Sequence, residues 1–423
     1  MLKYFFTSLY VAPAIFTLFF FMLYGILIPF KEDKYPLLIF SGSLFISILT
    51  TAFLINRETF KKLFIPLNMI ISACIIAYPL MTEMRDIFLL LIGSLSAFPF
   101  IKGGFILSSA KDPLKLGAMS LIVGNIIFIL AIFIPIDTTI KFIIAGLSLI
   151  PLALKEPEDI FNDELPKNVL IHLPVLFMFF IVYGIFHGTI HPNYREKAYL
   201  FGSEQIFYTL AVFLSIYLFK RYLDFGFVIG IVLGILSFTF YDEENKFLVN
   251  LSMYLIQSSF GIVNLYIIKL FSESKNPIKS YGLGFGVIFM AHVLGYALTI
   301  IASKYTKYII MVGNIFLGAG LIAIYTLFIR RWRNETIYVS DNEAIGTSGT
   351  VTKKWEILEK FCVGLSNRER DVLKLMVEGK TVREISDILN ISESAVKTYM
   401  QRIYQKKGVS SKEELMEKLS KLL

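Results

Sequence analysis

The sequence predicts an all-α protein in two parts: a membrane-spanning bundle of about twelve helices, then a small domain of four short helices. Three observations carry this reading. Apolar runs of roughly twenty residues, the length a helix needs to cross a hydrocarbon core, recur from residue 8 to residue 329 with short charged breaks between them. The composition agrees, at 56% hydrophobic and 17% charged residues. Beyond about residue 330 the long apolar runs stop, and from residue 357 hydrophobic residues return at a helical period between hydroxyl and carboxylate side chains.

The expected spans are 8–30, 36–55, 63–80, 87–107, 114–134, 138–154, 169–190, 200–219, 223–240, 247–270, 281–302 and 306–329. The first lacks a small-residue cleavage site and is too long for a signal-peptide core, so it reads as a retained helix. The sixth and ninth are the shortest. Arg57, Lys61 and Lys62, then Lys111 and Lys115, Lys155 and Lys167, Lys220 and Arg221, Lys275 and Lys279, and Arg330, Arg331 and Arg333 all fall on one side when loops are counted alternately. That side is expected to be the cytoplasm of a cell (inner) membrane, and an even span count places both termini there.

The charged stretch 155–168 is the longest hydrophilic interruption and divides the spans six and six. The segment Asn56 to Lys62 after the second span, with Lys220 and Arg221 at the matching place in the second half, resembles the basic loop of major facilitator superfamily transporters. Asn56 and Phe60 stand where that family has Gly and Asp. The resemblance therefore implies the six-plus-six architecture and not an intact transport mechanism.

Polar residues inside spans are costly and so mark candidate sites. Asn125, Gln257, Asn264, His292 and Asn314 lie near mid-depth and form the candidate ligand pocket, with helix-to-helix hydrogen bonding as the plainer role for each. Lys102 lies toward one end of the fourth span, and Glu204 and Gln205 mark an end of the eighth. His187 and His191 bracket the end of the seventh span, as a ligand or pH-sensitive mouth or as inert interfacial groups. Gly282, Gly284 and Gly286 follow no strand and do not make a phosphate loop; glycine in membrane helices serves close backbone approach. Cys74 and Cys362 are expected in different environments, so no disulfide is predicted, and no His/Cys spacing suggests a metal. No nucleophile stands near a base in sequence. No catalytic residue, cofactor or enzymatic activity is predicted.

Residues 331–356 are polar, with small residues from Ala344 to Thr350, and read as a cytoplasmic linker. The domain that follows, 357–423, is punctuated by caps. Ser366 with Glu369, Thr381 with Glu384 and Ser410 with Glu413 each place a hydroxyl three residues before a carboxylate, as a capping box requires. Ser392 opens a further helix, expected over 393–407. Val372, Leu373, Leu375 and Met376, then Ile385, Ile388 and Leu389, then Val396, Met400 and Ile403, then Leu415, Met416 and Leu419 recur at helical spacing and point to one shared core. Gly379 stops the first helix. Asn390, Ile391 and Ser392 form the tight turn of a helix-turn-helix.

At this point the segment resembles the DNA-binding domain of LuxR/GerE-type transcription regulators. Leu365, Ser366, Arg368, Glu369, Val372, Leu373, Gly379, Glu384, Ile385, Leu389, Ser392, Val396, Lys397, Ile403, Lys406, Gly408 and Val409 stand where that family has them, over about a seventh of the chain. Ser386, Ala395, Tyr399, Lys407 and Lys412 depart from it. Burying Val396, Met400 and Ile403 turns Ser394, Lys397, Thr398 and Gln401 outward, a set with the chemistry to read base edges in a major groove. The resemblance assigns base reading to Lys397, Thr398 and Gln401. Lys380, Arg402, Lys406 and Lys412 are expected as phosphate contacts. By analogy with the family, Leu415 and Leu419 of the last helix are expected to supply a homodimer seam.

The function expected is that of a one-component, membrane-embedded transcription regulator whose bundle senses a small molecule. Its partners would be double-stranded DNA, that ligand, membrane lipid and a second copy of the chain. The alternative is a major-facilitator-like transporter carrying a regulatory domain.

Overall fold

A computed structural model describes residues 2–22, 35–154, 164–221, 223–344, 361, 364–377, 380–389, 391–412, 414–415 and 418. Among the described residues the regular structure is helical, without strands, and the chain divides into two compact units, Met1–Phe328 and Ile329–Leu423.

In the first unit a described helix overlaps each expected span, with residues 23–30 of the first lying outside the described residues. They are α1 (Leu2–Met22), α2 (Tyr35–Leu54), α3 (Arg57–Ala77), α4 (Arg85–Leu95) with α5 (Ala97–Ser108), α6 (Pro113–Phe133), and α7 (Thr138–Ser148) with α8 (Ile150–Leu154). The second half has α9 (Lys167–Gly188), the short α10 (Ile190–Lys197), α11 (Glu204–Arg221), α12 (Leu223–Phe240), α13 (Lys246–Ser272), α14 (Pro277–Ile301) and α15 (Thr306–Ala344). Among the described residues, nine helical segments are long and apolar enough to cross a membrane. Large apolar side chains also face outward, with Phe53, Leu54, Ile301 and Ile322 all more than two-thirds exposed. A water-soluble surface does not carry such a belt, and the unit is that of a multi-pass membrane protein.

Several boundaries differ from expectation, each for a local reason. Asn56 Oδ1 accepts the Thr59 amide at 2.9 Å, so α3 begins at Arg57 and the basic residues expected in a loop form its first turns. The fourth span is two helices because Pro99 has no N–H to continue the ladder, while Ser96 Oγ donates to the Ile92 carbonyl at 2.7 Å. Pro151 divides the sixth span in the same way, and Asn68 Nδ2 donates to the Leu149 carbonyl at that break, 2.9 Å away. The eighth span starts at Glu204 and not at residue 200. Glu204 Oε2 there accepts from the Gly202 amide at 2.8 Å and the Tyr194 hydroxyl at 2.6 Å. The helix of the last span does not stop near residue 330: its apolar part is Thr306–Thr326, but α15 runs on to Ala344, so the first part of the expected linker is helical.

α13 and α14 form the centre of the bundle. α14 packs against α9 on one side and α2 on another, and α13 packs against α11 and α12. The α9/α14 crossing is close because it is made by glycines. A Cβ at Gly184 would lie 2.2 Å from the His292 carbonyl oxygen, and one at Gly295 would lie 1.9 Å from that of Ile181. Gly282, Gly284 and Gly286 admit Ala52, Phe271 and Leu49 in the same manner, as close-approach positions.

The second unit has α16 (Asn367–Val377), α17 (Val382–Leu389), α18 (Glu393–Lys407) and a last helical turn after Ser411. Phe361, Leu365, Val372, Leu373, Met376, Ile385, Val396, Ile403 and Leu415 build one core, whereas Ile388, expected in it, is exposed because its face of α17 turns away. Two capping boxes form as read. Glu369 accepts the Ser366 amide at 2.7 Å and Glu384 that of Thr381 at 2.8 Å, with each hydroxyl accepting in return. The third differs: Glu413 lies outside the described residues, and Glu414 accepts from Ser410 N and Oγ, both at 2.7 Å, while Ser411 Oγ accepts the Glu414 amide. Gly379 and Asn390 also lie outside the described residues.

Candidate nucleic-acid interface and interior cavity

α18 begins where Ser392 Oγ accepts the Ala395 amide at 3.2 Å. It ends at Gly408, whose φ of 65° lets its own amide and that of Val409 turn back onto the Gln405 and Tyr404 carbonyls. Between these caps Val396 and Ile403 are fully buried and Met400 and Tyr404 half-buried. Ser394, Lys397, Thr398 and Gln401 are all exposed, so the helix presents the outward polar stripe that its spacing predicts. Ser394 and Thr398 are partly engaged within the helix: Ser394 Oγ lies 2.9 Å from Ser392 Oγ, and Thr398 Oγ1 donates to the Ser394 carbonyl at 2.9 Å. Lys397 and Gln401 are exposed one turn apart on one face.

The four expected phosphate contacts do not share one role. Arg402 is exposed; Lys380 and Lys412 are half-buried. Lys406 is exposed as well, and its Nζ lies 2.7 Å from Glu369 Oε2. Glu369 is 2% exposed and holds Lys406, the Ser366 amide and the start of α16 at one point, which keeps its carboxyl below the usual carboxylate range. Lys407 lies with its ammonium 5.0 Å over the Phe361 ring, so this departure from the family pattern covers apolar core. Leu415 corrects an expectation: it is fully buried in the domain's own core, which leaves its side chain no surface for a dimer seam. Leu419 lies outside the described residues.

In the membrane body a cavity of about 110 Å³ lies among α1, α5 and α6 of the first half and α9, α13 and α14 of the second. Of the five expected pocket residues, Asn264 and His292 line it. Asn125, Gln257 and Asn314 do not: Asn125 and Gln257 are buried elsewhere in the bundle, and Asn314 Nδ2 donates to Thr239 Oγ1 on α12 at 3.4 Å. Mid-depth position along the sequence says nothing about which way a helix face turns. Three of the four histidines come together at the α9/α14 crossing. His292 Nε2 is 3.4 Å from His187 Nδ1, which itself lies 3.0 Å from the Tyr183 carbonyl, and the His187 and His191 ring centroids are 5.7 Å apart. All three are buried within the bundle.

Sequence reasoning did not find the aromatic lining, which includes Phe100, Phe180, Tyr183, Phe260, Phe285 and Phe289. The one available signal was spacing: Phe285, Phe289 and His292 fall on one face of α14, as do Phe260 and Asn264 on α13. Lys102 sits with its ammonium 5.0 Å over the Phe64 ring and is not part of the lining. Among the described residues no group of His, Cys, Asp and Glu could hold a metal ion.

Comparison with known proteins separates the two units. The bacterial regulatory protein, luxR family, matches residues 363–419. The spore germination protein GerE of Bacillus subtilis (strain 168) is 36% identical over 58 residues, which are 14% of this chain and 78% of that protein. The membrane body is similar in structure to the Escherichia coli fucose:proton symporter FucP, with a TM-score of 0.54 at 14% identity over 77% of this chain and 98% of that one. It is likewise similar to the human organic anion transporter MFSD10, with a TM-score of 0.55 at 12% identity over 76% of this chain and 98% of that one. At these identities the likeness establishes the fold, a major-facilitator-like bundle. The chain belongs to the luxR family of bacterial regulatory proteins through a C-terminal helix-turn-helix DNA-binding domain carried behind that bundle.

Proposed function

We propose that the protein is a one-component transcription regulator held in the cell membrane, with its cavity as the sensor and α18 as the reader of DNA. The observation that carries this is the pairing, in one chain, of an intact reading helix with a body whose cavity lining contains no Asp, Glu, Lys or Arg. Lys397 and Gln401 read bases, Thr398 and Ser394 add contacts near the start of the helix, and Arg402, Lys380 and Lys412 position the phosphates. The Lys and Arg count over alternate loops supports a cytoplasmic position for both termini, where the domain would meet DNA. Two copies bind a two-fold site, through residues of the last helix other than Leu415. The ligand acts by favouring one of two packings of the bundle, a shift that α15, helical from Thr306 to Ala344, carries out of the membrane.

A transporter reading would draw on the two fold neighbours, a proton symporter and an organic anion carrier. A cavity without a titratable carboxylate or a fixed positive charge gives it little support.

Chromatin capture of the full-length protein in its host, beside a Lys397→Ala, Gln401→Ala variant, tests the proposal. Discrete peaks over a two-fold motif, lost in the variant, are expected. A wild-type protein without peaks, together with substrate accumulation in proteoliposomes, would establish the transporter instead.

A further inference from the structure

We infer that the cavity takes a small, uncharged organic molecule built on one aromatic ring, with an edge group that both donates and accepts a hydrogen bond. This rests on the reading of the bundle as a sensor and gives its ligand a chemical class.

Charge is the first constraint. None of the nineteen lining residues is Asp, Glu, Lys or Arg, so an ion entering the cavity would give up its hydration with no counter-charge to replace it. The number of polar groups is the second. Only Tyr183, Asn264, Tyr281 and His292 bring polar side-chain atoms to the lining, and the Tyr281 hydroxyl is already 2.7 Å from Ser272 Oγ. A polyol would leave most of its hydroxyls without a protein partner, which selects against sugars.

The walls select for a ring. Phe100 lies 5.0 Å from Phe285 and 5.6 Å from Phe289, and Tyr183 meets Phe260 edge to face at 4.2 Å, so the cavity is bounded by ring faces and edges from four helices. Aromatic pairs of this geometry favour a further ring in offset or edge contact. A volume of about 110 Å³ is room for one ring with a small substituent.

Two side chains are set to read that substituent. Asn264 Nδ2 donates to the Tyr208 hydroxyl at 3.0 Å, which orients the amide and leaves Oδ1 as an acceptor. Tyr183 is only partly buried although it lies inside the bundle, it lines the cavity, and its hydroxyl has no hydrogen-bond partner among the described residues. Beside them His292, 1% exposed, has its Nδ1 without a partner. A phenolic O–H donates to Asn264 Oδ1, and Tyr183 donates to the phenolic oxygen.

Calorimetric titration of the full-length protein in lipid nanodiscs tests this with phenol, toluene, benzoate and glucose as probes. Phenol is expected to bind at one site, toluene about tenfold more weakly, and benzoate and glucose not at all. Tyr183→Phe, which keeps the ring, and Asn264→Leu are each expected to weaken phenol five- to tenfold while leaving toluene unchanged. Benzoate or glucose binding as tightly as phenol, no binding of phenol to the wild type, or variants that bind phenol normally would each overturn the inference. Running the titration with target DNA present separates it from the regulatory reading. Phenol binding without any change in DNA affinity leaves the ligand class standing and removes the regulator; a DNA response to a charged compound that phenol does not displace does the reverse.

Discussion

The ammonium of Lys406 sits 2.7 Å from Oε2 of Glu369, joining the last turn of the recognition helix to the first turn of α16. The same carboxylate accepts the Ser366 amide, so one nearly buried group caps one helix and anchors another. Removing it leaves an uncapped helix and an unpaired ammonium. Glu369→Ala is expected to destabilise the C-terminal domain by about 2 kcal/mol, seen as faster amide hydrogen exchange across α16 and α18 in the full chain. Lys406→Met is expected to change the salt dependence of DNA binding less than Arg402→Met does. Equal slopes from a salt titration of the two variants would return Lys406 to the phosphate contacts.

Acid titrates the same group. Its carboxyl is held below the usual range by the Lys406 hydrogen bond first and the Ser366 amide next. A depressed folded-state value means the contribution is fully present above the unfolded carboxylate's pKa of about 4.3 and is lost as pH falls below it. Thermal stability of the domain is expected to drop through that window, and a Glu369→Gln variant to show a flatter profile over the same pH range.

Lys397 and Gln401 are exposed polar groups one turn apart on α18. Each to-Ala change is expected to cost about 1–3 kcal/mol at the preferred site and to relax sequence preference at one base step. Arg402→Ala should weaken all sequences alike. Binding to a panel of single-base variants of the site distinguishes the two patterns.

The α9/α14 crossing tolerates no side chain at Gly184, where a Cβ would lie 2.2 Å from the His292 carbonyl oxygen. Gly184→Val is expected to force the helices apart at a cost of about 1–3 kcal/mol and to displace His292 from the cavity wall. Gly318→Ala, with nothing within 4 Å of its Cβ, should leave the melting temperature in detergent unchanged. A Gly184→Val protein with wild-type stability would mean that the crossing is looser than the packing shows.

Both the division of the chain and the reading helix were legible in the sequence because they depend on local rules. Hydroxyl–carboxylate spacing marks a helix start wherever it occurs, and Ser366 with Glu369 and Thr381 with Glu384 formed the boxes their spacing predicts. Lys397 and Gln401 face outward because Val396 and Ile403 must face in. The cavity was legible only in part. Asn264 and His292 were chosen for polarity and depth, and so were Asn125, Gln257 and Asn314, which the fold turns elsewhere. Aromatic residues on a membrane helix serve lipid, core and ligand alike, so Phe285 and Phe289 carried no distinguishing mark.

The sequence by itself determined that this is a helical membrane body bearing a LuxR-type reader, since hydrophobic length, capping chemistry and heptad-scale period act within one helix at a time. The tertiary structure alone decided that Lys406 belongs to Glu369, that Leu415 is core, and that His187, His191 and His292 meet at a glycine crossing. Those relationships join residues up to a hundred positions apart, and helix rotation, which no local rule sets, chooses among them.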